Sequence, residues 1–177
     1  MCIRDSDIIE WLGETVRQTD SSLLDEWEAL TDPESVAAIA AGEAPPPPRP
    51  ITANERTFTV MVRNAMFQRV QLAARDRYGD LAALESDLPG KAVMNAHAWE
   101  EALGAYWDEY EALGDGPAAR SPELLMIEAS APRTWTARQI IDDPDGNHDW
   151  AIVATVDLDA SDAAGEPVIR TQSFSAG

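Results

Sequence analysis

A chain of 177 residues with 45% hydrophobic content has room for one domain and a tail, with enough apolar surface for a real core. Thirty-two acidic against thirteen basic residues give a net charge of −19, a field that repels phosphate backbones and argues against direct nucleic-acid binding. No apolar run is long enough to span a bilayer and no secretory signal is visible, so a cytoplasmic location is expected; a single cysteine, Cys2, excludes an intrachain disulfide.

The charge reads either as a solvated surface that keeps the protein soluble or as a face for a basic partner. Lys91 is the only lysine among the thirteen basic residues, a bias that with heavy alanine use points to a GC-rich genome.

The opening stretch MCIRDS, residues 1–6, shares nothing with the acidic helical sequence after it. Back-translated as ATG TGT ATA AGA GAC AG, it matches an end sequence attached by transposase-based library kits, and it reads as adapter sequence. A fragment of something longer is then the expectation.

Residues 7–41 read as a helical tail. Ile8, Ile9, Leu12 and Val16 keep a helical spacing, Asp20 or Ser21 can cap a second helix with Leu23, Leu24, Trp27 and Leu30, and Asp32-Pro33-Glu34 starts a third. Residues 42–50, GEAPPPPRP, form a stiff polyproline spacer, and residues 51–177 form the main domain.

Thr52-Ala53-Asn54-Glu55 has capping-box spacing and predicts a helix running to about Tyr78. Arg56, Arg63 and Arg77 fall in one narrow sector and are the candidate interaction residues, although internal pairing is the expectation in so acidic a chain. Arg69 points into the apolar stripe, where it should snorkel or meet a buried carboxylate. A second long helix is predicted from Lys91 to Leu113, with Gly114 in the C′ position and an aromatic stripe of Trp99, Leu103, Tyr106, Tyr110 and Leu113.

From Ser121 the apolar period falls to two. Leu124–Ala129, Thr134–Ile141, Trp150–Leu158 and Pro167–Phe174 read as strands, joined by DDPDGNHD and DASDAAGE turns among others. The predicted class is α+β: N-terminal helices, then long helices packed on a four-stranded antiparallel meander. That order is also found in cone-shaped nuclear-transport-factor-like and cystatin-like folds.

Signatures of catalysis are missing from the sequence. There is no phosphate-binding loop, no dinucleotide fingerprint and no nucleophile elbow. His97 and His148 have no metal-ligand spacing around them. Counted as a calcium loop from Asp143, the acidic turn puts His148 where glycine is needed and Ala154 where a glutamate is needed, so it reads as a hairpin turn. No catalytic, cofactor-binding or metal residue is therefore assigned. One alternative is a small-molecule-binding or enzymatic α+β cone with a pocket near His97 and Asp108, lined also by Trp107 or Tyr110.

The stretches VRQTDSSLLDEWEALTDPE, ERTFTVMVRNAMFQRVQLAARDRYGDLAALE and the segment from Ala119 to Arg170 resemble a known family. The chain is similar, from Asp7 almost to its end, to the uncharacterised C-terminal domain appended to DEAD/DEAH-box superfamily 2 helicases of high-GC bacteria. The resemblance implies a parent that hydrolyses ATP, with magnesium, in motor domains whose motifs this chain lacks. It implies a non-catalytic accessory role through contacts with the helicase motor domains in cis or with another protein.

Overall fold

The computed structural model falls into two units, Met1–Pro48 and Arg49–Gly177, and describes the second apart from Lys91. The helices expected over 7–41 and the spacer from 42 to 48 lie outside the described residues. A single 3-10 turn, Ile51–Ala53, leads into helices Glu55–Ala73 (α1), Tyr78–Ala83 (α2) and Ala96–Trp107 (α3). The strands are Leu125–Ala131 (β1), Thr134–Ile140 (β2), Trp150–Asp157 (β3) and Val168–Ala176 (β4), with helix Leu158–Ala164 (α4) between the last two. Their order is β1-β2-β3-β4 with every pairing antiparallel, so the fold is α+β with the expected meander.

One face of the sheet is covered. Phe58, Val62, Met66, Val70 and Ala73 on α1, with Trp99, Leu103 and Tyr106 on α3, are buried against Ala137, Ile152, Ala154, Val156, Ile169 and Phe174. Phe58 meets Trp135 with ring centroids 5.3 Å apart, and Tyr106 meets Phe174 at 5.8 Å. Each such side chain contributes roughly 1.5–3 kcal/mol on burial. A bulge in β4 keeps this face in phase. Val153 pairs with Ser173 but Ala154 pairs with Thr171, so Gln172 is the extra residue and both Thr171 and Phe174 face inward.

The first long helix is shorter than predicted at both ends. Thr52 does not cap it: its N–H and hydroxyl donate to Asp162 at 3.0 and 2.8 Å, and Asn54 takes the cap, accepting from the Thr57 N–H at 3.1 Å. At the other end Asp76 adopts a left-handed φ of 53°. The Arg77 N–H reaches the Leu72 carbonyl at 3.0 Å and the Asp76 N–H reaches that of Ala73 at 3.1 Å. That is a Schellman closure with an aspartate in the position glycine usually fills, so no glycine marked it in the sequence.

Helix α3 also falls short of the predicted Lys91–Leu113 span. Asn95 caps it through the Ala98 N–H at 3.0 Å, and it stops at Trp107. Asp108, Glu109 and Glu111 follow with no basic residue in the last turn, which is unfavourable at the negative end of the helix dipole. Tyr110 and Leu113 are buried from the segment after the helix. Gly114 has a different reason from the C′ position expected of it. Its N–H donates to the Asp142 carbonyl at 2.9 Å, and a Cβ there would lie 2.6 Å from that oxygen.

The predicted DASDAAGE turn contains helix α4. Asp157 caps it through the Ala160 N–H at 2.9 Å, and Gly165 closes it at φ 75°. Arg133, in the β1–β2 turn, donates to Asp159 at 2.7 Å, to Thr52 at 3.1 Å and to Asp162, tying the chain entry to α4.

Candidate functional site

The segment after α3 and the β2–β3 loop come together and make one end of the described unit strongly acidic. Aromatic side chains hold the two in place. The Tyr110 hydroxyl donates to Asp149 at 2.9 Å and accepts from the Asn147 amide at 3.0 Å. The Trp150 indole donates to Glu109 at 2.7 Å, and the Tyr106 hydroxyl donates to the Ala112 carbonyl at 2.8 Å. Tyr106 packs against Trp107, Tyr110 and Trp150 with centroids 5.0, 5.1 and 5.4 Å apart.

Within the loop, Asp143 is turned inward. Its carboxylate accepts from the backbone N–H groups of Asp145 and Asn147, both at 3.0 Å, and of His148 at 2.6 Å. Burial pushes its pKa up, but those amides together outweigh burial and hold the carboxyl below its ordinary range. Gly146, at φ 70°, and His148, at φ 56°, supply the backbone shape. Asp143 is thus committed to the turn's own amides. Among the described residues no group of His, Cys, Asp and Glu is placed to hold a metal ion. Burial also pushes the Tyr106 hydroxyl well above its usual pKa, and the charge of Asp143 adds to that.

The acidic end bears an open hollow of about 420 Å³ lined by Ala74, Asp76, Trp107, Glu111, Ala112 and Leu113. Asp76 Oδ1 accepts from the Trp107 indole and from the Tyr78 hydroxyl, each at 2.9 Å. One oxygen of Asp76 and the Glu111 carboxylate remain at the rim of an aromatic wall. That is the chemistry that receives a guanidinium or ammonium group. Arg75 pairs with Asp115 at 3.1 Å and His148 lies 3.6 Å from Asp142, so little positive charge offsets this end.

The residues singled out from the sequence are not brought together. His97 sits on the first turn of α3, its side chain 78% exposed and 3.9 Å from Glu100. It is about 15 Å along the helix axis from Trp107, and it does not line the hollow. Asp108 is exposed at the C-cap of α3, and Tyr110 is bonded to Asp149. Trp107 alone of the four lines the hollow.

The expected arginine row is broken because α1 ends at Ala73. Arg77 lies at the N-cap of α2 and pairs with Asp80, whereas Arg56 is exposed and Arg63 half-buried on α1. Arg69 does meet a buried carboxylate, with Glu85 3.5 Å away. Asp76 and Glu111 carried no signal in the sequence, since their proximity depends on the closure of α1 and the early end of α3.

Among the described residues no helix is long and apolar enough to cross a membrane. No curated protein and no solved structure gives a match to the chain. A family model described as a domain of unknown function (DUF3516) matches residues 4–174, and the chain therefore belongs to the DUF3516 family.

Proposed function

We propose that this chain is a non-catalytic, cytoplasmic C-terminal accessory domain of an ATP-dependent DEAD/DEAH-box helicase, acting through protein contacts. Its partner is a basic surface, on the motor domains in cis or on a second protein. The observation that carries this reading is the acidic end, where the segment with Asp108, Glu109 and Glu111 meets the loop with Asp142, Asp145 and Asp149, and where Asp76 and Glu111 line the Trp107 hollow. A field of that sign steers basic partners and rejects RNA and DNA. The resemblance of three long stretches to helicase C-terminal domains supplies the parent. ATP and magnesium then belong to the motor, and this chain holds neither.

Two measurements test the reading. The open reading frame upstream of Asp7 should continue into helicase motifs; a stop codon or an unrelated domain there refutes the parentage. In the intact parent, or with motor and chain mixed, E111Q/D142N/D145N should weaken the contact at least about tenfold at low salt. An unchanged contact, or tight salt-dependent RNA binding by this chain alone, overturns the docking reading.

A further inference from the structure

Among the described residues, one end of the sheet face turned away from α1 and α3 carries a second hollow of about 220 Å³. The strand register builds its floor. Thr134, Asp157 and Val168 form one cross-strand row, and Thr155 and Arg170 lie side by side in the next, with all five side chains on this outer face. Pro89 closes one edge.

The two charges in this hollow are the informative feature. Arg170 Nη2 donates to the Pro89 carbonyl at 2.6 Å. The Gly90 backbone, at φ 96°, lies so close that a Cβ there would be 3.3 Å from Arg170 Nη1. The guanidinium is thus held in place by backbone rather than by an acid. Asp157 accepts the Ala160 N–H through Oδ1 as the cap of α4. Among the described residues no ion pair joins Arg170 and Asp157 to each other or to any other charged side chain. Arg56, Arg63, Arg120 and Arg138 likewise have no ion pair among the described residues, so what marks Arg170 is that it shares a hollow with Asp157, a carboxylate equally without a cation.

We propose that this hollow binds a small zwitterion, an α-amino acid with a modest aliphatic side chain. Its carboxylate lies on the Arg170 guanidinium and its ammonium group on Asp157. Thr134 and Thr155 offer hydroxyls to the polar end; the Thr155 hydroxyl already accepts from the Gln172 amide at 3.1 Å, which orients it. Val168 and Pro89 offer apolar contact to the side chain. The volume lies below the range of roughly 300–1,000 Å³ that holds larger ligands, which selects a small molecule. This site lies apart from the acidic end, and its test is independent of the docking reading.

The experiment is a titration of the full chain, followed by backbone amide chemical shifts, with L-valine and its two half-molecules, isovalerate and isobutylamine. L-valine should saturate with shifts centred on Thr134, Thr155, Asp157 and Arg170, and each half-molecule should bind at least about tenfold more weakly. D157N keeps a side-chain oxygen for the α4 cap, so it should leave the fold intact while weakening L-valine at least about tenfold. R170Q should do the same, and T155V gives a second folded variant should R170Q lose its hold on the Pro89 loop. The proposal is overturned if L-valine fails to saturate, if isovalerate binds as well as L-valine, if the shifts centre elsewhere, or if D157N binds like the unaltered chain.

Discussion

Two carboxylates among the described residues are almost fully buried, Glu85 at 4% and Asp143 at 5% relative exposure, and the regions around them hold them by opposite means. At the seam between α1, α2 and β4, Glu85 faces a cation. Arg69, itself 4% exposed, donates to the Thr171 hydroxyl at 3.1 Å, to the carbonyls of Ala65 and Ile169 at 3.0 and 3.1 Å, and to Glu85 at 3.5 Å. Glu85 also accepts the Thr171 N–H at 2.8 Å. Burial pulls the pKa of Arg69 down and the charge of Glu85 opposes it. At the acidic end Asp143 has no cation and relies on backbone amides instead.

The difference teaches where charge is tolerated. A buried ion pair joins elements distant in sequence, whereas an amide-held carboxylate shapes one loop and leaves the surface negative. The first arrangement fixes three elements together; the second fixes one loop, whose other carboxylates, Asp142, Asp145 and Asp149, give that end its negative charge.

The largest expected effect lies at the seam. Glu85→Ala leaves a buried guanidinium and the Thr171 N–H without their acceptor and should cost about 3–5 kcal/mol in denaturant unfolding. A cost below about 1 kcal/mol would mean that the seam does not depend on charge pairing. Next comes Asp143→Ala, which strips the acceptor from the turn amides and should cost about 2 kcal/mol at neutral pH.

The sign of the pH dependence follows from the lowered pKa of Asp143. Its stabilisation is fully present above the unfolded value near about 4 and is lost as pH falls through the lower folded value. The alanine variant should therefore show a shallower acid limb in stability measured against pH. An acid limb of unchanged slope would remove Asp143 from that role.

Smallest is Tyr106→Phe, which loses the bond to the Ala112 carbonyl, for about 1 kcal/mol. Because burial raises the Tyr106 pKa, its contribution holds below the unfolded value of about 10 and declines as pH rises beyond it. The phenylalanine variant should flatten the alkaline limb. If it does not, the acidic end is not what sets alkaline stability.

The sheet and the two main helices were legible because their apolar periods are long and regular. The strands lie within a residue or two of their expected bounds. Arg69 in the apolar stripe allowed either snorkelling or a buried carboxylate, and nothing local pointed to Glu85, since the pairing needs the chain reversal at Asp76.

That reversal was hidden because aspartate, unlike glycine, does not advertise a left-handed conformation. Helix α4 was hidden because its seven residues, between Asp157 and Gly165, look like a loop rich in small and acidic residues. Both hollows draw their walls from separate elements, so spacing along the chain carried no trace of them.

The extra residue at Gln172 acts as a frame correction in β4. Upstream of it Ile169 and Thr171 face the helices, and downstream Phe174 does so three residues later rather than two. Deleting Gln172 would make the pairs Ala154–Thr171, Val153–Ser173 and Ile152–Phe174 consecutive, so Phe174 would keep its place in the stack with Trp150 and Tyr106 and the bulge would disappear. The strand can therefore lose one residue at this point without turning Phe174 outward, whereas losing a second would put that ring on the opposite face.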